Sequence, residues 1–344
     1  GHLVACPFRH DLKARMKADS PTPVPASPLC MGVAWAHLAQ ATVTARGTDA
    51  VRFVDNFTTA SVGAVANGRG TEAFFTDGRG WVIALATILR TDAGLEIVTA
   101  AGLGQRLRDH LEHYHIRETV DLTDASADTQ SLILAGPAAP LTLAAALPPP
   151  ATPLPTACLE HVSTTLAGHD VRIVRVSGQG ADGFWIRGGR AAIDAVARQL
   201  SAGGVPEADP AALEAARIEA VFPAPGDIPE KTLPQELGRD PRAISFTKGC
   251  YLGQETVARL DALGHVNRRL VLLAIAAPHP PTCPADVRHG DDVVGTLTSS
   301  CVSPKHGMPA GLALVRTRAL AGEPLTVGSA AARVVSMPPA GATP

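Results

Sequence analysis

Aromatic side chains are scarce: three Trp, two Tyr and eight Phe make up 4% of 344 residues. A row of stacking rings of the kind that holds single-stranded nucleic acid is therefore not on offer. Charge of either sign is not in surplus, with a formal net charge of −2 and a pI near 6.7. Nothing in that balance draws the chain to nucleic acid or to an acidic membrane, so neither is expected as a direct partner. There is no run of about 20 apolar residues, and hence no expected membrane-spanning helix. The six cysteines (Cys6, Cys30, Cys158, Cys250, Cys283, Cys301) form no C-x-x-C pair and no Cys/His spacing of the zinc or ferredoxin kind. No stable metal centre is expected. The chain also does not read as a small disulfide scaffold, which points to a reducing, cytoplasmic compartment.

What is present is length, with short apolar segments cut by glycine and proline. A chain of 344 residues exceeds one ordinary core and is expected to form two or three domains. Residues 1–30, polar and basic and then proline-rich, read as a poorly ordered extension or a tag, with folded sequence starting near Met31 or Val33. From Thr42 the pattern is strand, turn, helix: ATVTARG is followed by a short helix with Thr48 as its cap and Val51, Phe53, Val54 and Phe57 as its apolar positions. EAFFTD and WVIALATIL, separated by Asp77-Gly78-Arg79-Gly80, predict an antiparallel hairpin. LEIVTA is a third strand. GLGQRLRDHLEHYHI is an amphipathic helix with Leu103, Leu107 and Leu111 on one side. TVDLTD and SLILAG are expected to extend the same sheet.

The stretch from Pro137 to Pro155 holds seven prolines and reads as a linker or rigid crossover rather than a long helix. VRIVRVSG and GFWIRGG bracket the loop Gln179-Gly180-Ala181-Asp182-Gly183, and a helix from about Arg190 to Leu200 follows. Beyond residue 263 short strands alternate with Gly, Pro and Asp, which predicts an all-β unit. The divisions expected are 31–150, an N-terminal α+β part; 151–262, a second α+β part; and 263–338, a β-barrel.

The most informative segment is Lys248 to Glu255, KGCYLGQE. Gly249 and Gly253 are poor filler for a helix or a strand interior, so a sharp turn is expected there. Such a turn could expose Cys250 with its thiolate favoured by the Lys248 ammonium. It could equally bury a structural Cys beside a helix opened by Gln254 and Glu255. His110 and His113 share a helix face, but His115 and Glu112 do not join them, so these histidines read as structural or solvated rather than metal-binding.

KGCYLGQE, followed by Arg259, resembles the central motif of the YgfZ family of folate-binding proteins, relatives of the glycine cleavage T-protein (aminomethyltransferase). The segment RIEAVFPAPGDIPEKTLPQEL, Arg217 to Leu237, is similar to what precedes the motif in both groups, and a weaker resemblance runs from about Val43 to Val335. It implies an α+β fold: a three-domain, T-protein-like ring of antiparallel sheets with flanking helices and a C-terminal all-β barrel. It further implies a tetrahydrofolate cofactor and a monomer. By the same resemblance Glu219 would hold the pterin, and Tyr251, Gln254, Glu255 and Arg259 would belong to the cofactor site. Cys250, with Lys248, would be the functional thiol and a possible transient cluster ligand. The glycine-and-acid loop at Asp182 is similar to one in the T-protein, although a hairpin turn without a ligand explains it as well.

Two departures matter. YgfZ proteins carry tryptophans near the positions of Gln40 and Leu213, and the T-protein carries a carboxylate where this chain reads Trp81-Val82-Ile83-Ala84-Leu85. Without that group no acid/base work is available there. The resemblance thus implies a non-classical enzyme: a tetrahydrofolate-binding protein that assists assembly or repair of iron–sulfur clusters, its partners being client cluster enzymes such as radical enzymes that modify tRNA. The alternative is a folate-dependent one-carbon transferase or demethylase.

Overall fold

The computed structural model describes residues 28–150, 152–321 and 324–337, so the extension expected over 1–30 lies, but for its last three residues, outside the described residues. After a helical turn at Pro28–Met31 come β1 (Ala34–Leu38) and β2 (Gln40–Arg46), with only Ala39 between them. Helix α1 (Ala50–Asp55) leads to β3 (Gly70–Thr76), β4 (Val82–Thr91) and β5 (Gly94–Ala100). Then follow α2 (Gly104–Glu112), β6 (Asp121–Asp124), β7 (Gln130–Ala135) and α3 (Ala139–Ala146).

The first sheet has the order β3-β4-β5-β2-β6, all antiparallel. Side chains alternate along each strand. In β4 this sends Ala86 and Ile88 into a core with Phe53, Val54, Leu107 and Leu111 of α1 and α2, while Leu85 and Leu89 face the rest of the molecule. Burial on both faces explains why β4 reads as a nearly continuous apolar run.

The second sheet takes β8 (His161–Leu166), β9 (His169–Val176) and β10 (Gly183–Gly188) and adds β7 and β1, in the order β1-β7-β10-β9-β8. Its outer face is covered by α3 and α4 (Arg190–Ala202), with Leu143, Ile193, Val196 and Leu200 packing on Phe184 and Ile186. SLILAG is therefore β7 of the second sheet, not a further strand of the first. The near-continuity of β1 and β2 lets one segment border both sheets. The division expected at residue 150 runs through this second sheet, because β7 pairs with β1 before it and with β10 beyond it.

Local signals also resolve. Asp49, not Thr48, is the residue before α1, and its Oδ2 accepts the Thr119 backbone N–H at 2.8 Å. The proline-rich stretch holds the two-turn helix α3, with Pro140 in its first turn, where the missing N–H costs no hydrogen bond. The last strands close a six-stranded barrel in the order β11-β14-β13-β12-β15-β16: β11 (Arg268–Ile275), β12 (Ala285–His289), β13 (Asp292–Ser303), β14 (Met308–Arg316), β15 (Leu325–Val327) and β16 (Ala330–Ser336). The fold is α+β, with two antiparallel sheets, flanking helices and a terminal barrel.

Helix α5 (Pro210–Glu219) and helix α6 (Gln254–Leu263) bracket a segment of short turns that packs against the first sheet and the barrel. In it Asp240 is half-buried, and its buried Oδ1 has no hydrogen-bond partner. Burial pushes its carboxyl up to about 7, with Asp261 adding to the rise and Arg269 and its own backbone N–H opposing it. A carboxyl whose folded pKa is raised is fully compatible with folding only below its unfolded value near 4; stability is lost as pH rises from there to about 7. Asp240→Asn, an isostere of the protonated form, is expected to raise Tm above wild type by an amount that grows from pH 4 to pH 7 and then levels off. Thermal melts at pH 4, 6 and 8 check this, and a gain independent of pH contradicts it.

Candidate functional site

Where the inner faces of the two sheets meet α5, a cavity of about 580 Å³ opens. Its wall is mostly apolar: Leu38, Leu85, Val98, Ile133, Val176, Leu213, Trp185 and Phe222. Helix α5 contributes through one face. Pro210, Leu213, Glu214 and Arg217, spaced three and four apart, all line the cavity, while Ala215 and Ile218 pack toward the barrel. Asp209 caps the helix through its carboxylate, accepting the Ala211 N–H at 2.8 Å, and Pro210 takes the first helical position.

The polar groups on this wall come as held pairs. Glu72 of β3 is 2% exposed, and Arg239 of the turn segment grips it with Nη2 at 2.6 Å from both carboxylate oxygens and Nε at 3.0 Å from Oε2. Arg239 Nη1 also donates to the Gly178 carbonyl at 2.9 Å, and its guanidinium lies 5.0 Å from the Phe222 ring centre. Gln179 donates its amide to Glu72 at 2.9 Å and to the Thr87 hydroxyl at 3.1 Å. Its Oε1 is buried without a partner. Gln40 accepts from Arg187 at 2.9 Å. Arg187 is itself 2% exposed and also donates to Ser131 and Thr42; burial pulls its pKa down to about 10 against the pull of Glu96. At the edge, Arg217 joins Glu214, Asp227, Ser299 and the Phe222 carbonyl. Burial disfavours its charge, but Glu214 and Asp227 outweigh that and raise its pKa.

None of the seven residues singled out in the sequence lines this cavity. Glu219 ends α5 two residues after Arg217, which is about 200° around the helix, and so faces away. Its Oε1 accepts from the Ser303 hydroxyl and from the Lys305 N–H at 2.9 Å, and it borders a separate pocket of about 270 Å³ with Arg239 and Arg242. The cavity-facing carboxylate of this helix is Glu214, not Glu219.

The KGCYLGQE motif sits on the end of α1 and the β3–β4 turn. Lys248 is buried and donates to the carbonyls of Asp55, Thr58 and Ala60 at 2.6, 2.9 and 2.8 Å and to the Asp55 carboxylate at 3.1 Å. Burial lowers its pKa, with Asp55 opposing. Its ammonium also lies 5.3 Å from the Tyr251 ring centre, so the charge expected to favour a Cys250 thiolate is committed to these groups instead. Tyr251 is buried, and burial pushes its hydroxyl up to about 12. The Leu252 N–H donates to Asn56 and the Leu252 carbonyl accepts from Thr76. Gly253 has φ of +83°, and a Cβ there would lie 2.5 Å from the Asp77 carbonyl and 2.8 Å from the Gly80 Cα, so glycine is required; around Gly249 there is open space. Gln254 is half-buried, while Glu255 and Arg259 are exposed on α6. Cys250 is exposed and free. Cys301, by contrast, is buried, and its thiol is pushed up to about 12 chiefly by burial. The motif is a rigid mount that holds one thiol outward.

Sequence reasoning missed Glu72, Arg239, Gln179 and Arg187. A signal existed for two: Glu72 is a charge inside an apolar strand, and Gln179 lies in the loop already noted for Asp182. Asp182 itself turns back to accept the Gly178 N–H at 3.0 Å. Gln40 and Leu213, where relatives were expected to carry tryptophan, do line the cavity. Among the described residues no three His, Cys, Asp or Glu come together as a metal site, and no helix is long and apolar enough to cross a membrane. His110 is half-buried, and that partial burial lowers its pKa, while His115 bonds to Glu118 and Glu112.

The sequence matches the GCVT N-terminal domain over residues 35–248 and the glycine cleavage T-protein C-terminal barrel domain over residues 268–340. The chain belongs to the glycine cleavage T-protein family. It is similar to an aminomethyltransferase of Nostoc sp., 32% identical over 175 residues, covering 50% of this chain and 46% of that protein, less than half its length. A shorter match, 45% identical over 62 residues, 17% of this chain and 19% of the other, is to the tRNA-modifying protein YgfZ of Sodalis glossinidius. The aminomethyltransferase T of the glycine cleavage system from Bartonella henselae has the same fold, with a TM-score of 0.77 at 19% identity over 95% of this chain and 96% of that one. Within this family fold the strand facing the cavity presents Leu85 and Thr87, with no carboxylate among residues 81–85.

The mount can be tested separately from the thiol. Lys248→Met leaves three carbonyls and one carboxylate without their buried donor, at a cost of about 3 kcal/mol. Chemical denaturation is expected to show that loss, with Cys250→Ala within about 0.5 kcal/mol of wild type, as for a surface substitution. Equal stability of Lys248→Met and wild type contradicts the strut role.

Proposed function

We propose that the chain binds tetrahydrofolate in the central cavity without turning it over, and assists iron–sulfur cluster assembly or repair through the outward thiol of Cys250. The observation that carries the reading is the cavity: about 580 Å³, within the roughly 300–1,000 Å³ of small-molecule sites, apolar-walled, with the buried Gln179 Oε1 still lacking a donor. A flat heteroaromatic ring with N–H groups fits those requirements, with Trp185 and Phe222 as its aromatic neighbours. Folate, when bound, would supply nitrogen atoms able to carry one-carbon units. The protein's own groups are poorly disposed to move protons there: Glu72 is locked by Arg239, and Glu214 is paired with Arg217. This favours retention of the cofactor over an aminomethyl-transfer step.

A smaller pocket of about 100 Å³ shares Leu85, Ala100, Pro223 and Pro225 with the cavity and adds Arg106. Arg106 is exposed and makes no ion pair among the described residues, so it offers a cation for the carboxylates of a glutamate tail. The likeness to the Sodalis tRNA-modifying protein supports a link to tRNA modification. Client enzymes are then the partners, and Cys250 is the group they meet.

Calorimetric titration with 5-formyltetrahydrofolate is expected to show one site per chain, and absence of binding removes the folate reading. Arg106→Glu should weaken a triglutamate form by roughly three- to fivefold more than the monoglutamate, the scale of an exposed ion pair. In a strain lacking the protein, Cys250→Ala should fail to restore cluster-enzyme activity while retaining folate affinity. Full rescue would remove the thiol from the mechanism.

A further inference from the structure

Two side-chain amides on the cavity wall have their orientation set by charged neighbours. Arg187 has only donors, so the atom of Gln40 that meets it is the oxygen, and Gln40 Nε2 makes no hydrogen bond among the described residues. Both carboxylate oxygens of Glu72 accept from Arg239 and so act as acceptors, and the Gln179 atom that meets them is the nitrogen. The free end of Gln40 is therefore a donor, and the free end of Gln179 an acceptor, whichever way an isolated amide would rest.

Their separation follows from the sheet. Glu72, Thr87, Val98 and Thr42 are direct cross-strand partners on β3, β4, β5 and β2. Gln179 sits over the Glu72–Thr87 end of that row, and Gln40 lies two residues along β2 from Thr42, beside Ala100. Two strand spacings across and two residues along place the amides roughly 10–14 Å apart. They cannot read one edge of one ring.

We infer that Gln179 and Gln40 are a pair of pre-oriented amides that read the two ends of an elongated ligand, Gln179 Oε1 accepting from a ring amide edge and Gln40 Nε2 donating to a carbonyl beyond the ring. Resting on the folate reading, this assigns the pterin's N–H edge to Gln179 and the aminobenzoyl carbonyl to Gln40, with the tail leaving toward Arg106. Arg187 and Glu72 are positioning residues, since they act through the amides they hold. Gln40 thereby replaces the ring expected at its position with a directional hydrogen bond.

Affinities of wild type, Gln40→Leu and Gln179→Leu are measured by calorimetry for 5-formyltetrahydrofolate and for a tetrahydropterin lacking the aminobenzoylglutamate. Gln179→Leu should weaken both ligands about tenfold, the scale of one buried hydrogen bond. Gln40→Leu should weaken the whole folate about tenfold and leave the truncated pterin within about twofold of wild type. A folate analogue without its 2-amino group, bound to wild type, reads the Gln179 contact if that variant does not fold. If wild type binds folate and both variants bind it equally well, the amide pair is overturned while the folate reading stands. Equal losses for both ligands in Gln40→Leu overturn the end assignment. If wild type binds no folate, both readings fall together.

Discussion

The buried pair Glu72–Arg239 joins what the chain otherwise keeps apart. Glu72 belongs to the first sheet, Arg239 to the turn segment before the motif, and Gly178 and Gln179, tied to the same two groups, to the second sheet. Two charges removed from water hold this arrangement only because the geometry is bidentate and the remaining lone pairs and N–H groups find partners. The pair is therefore a joint for three bodies and, at the same time, the floor of the cavity between them. A carboxylate so engaged is committed to joining these parts of the fold.

The second organising constraint is division of labour around Cys250. Lys248, Tyr251, Leu252 and Gly253 all turn inward, onto carbonyls, a ring, a strand and a close glycine contact. Cys250 alone in that run is turned out as a free thiol. Its mount lies at the end of α1, while the cavity lies against the middles of β3, β4 and β5. The cavity and the exposed thiol thus lie on different surfaces of the molecule.

Much of this was legible in the residues. The apolar segments EAFFTD and WVIALATIL with the Asp77–Gly80 turn predict the hairpin of β3 and β4; the Gly- and Pro-cut strands after residue 263 predict an all-β unit; the resemblance carried the barrel and the family. SLILAG was assigned to the wrong sheet because strand propensity says nothing about partners, and in β12 Asp286, Arg288 and His289 leave little apolar signal. At the site, Glu219 matched a motif but the 3.6-residue period turned it away from Arg217 and out of the cavity. Arg187 carries no motif at all, and becomes visible only when Gln40 and Thr42 arrive beside it.

By itself the sequence determined most of the elements and the family, because these depend on neighbours a few residues away or on a long contiguous match; the close approach of Asp77 and Gly80 that requires glycine at 253 is tertiary. Only the tertiary structure decided which groups face the cavity, where the Lys248 charge goes and which way two amides point. Those are set by partners as far apart as Gln40 and Arg187 or Glu72 and Arg239, and hydrogen-bond direction exists only once both partners are in place.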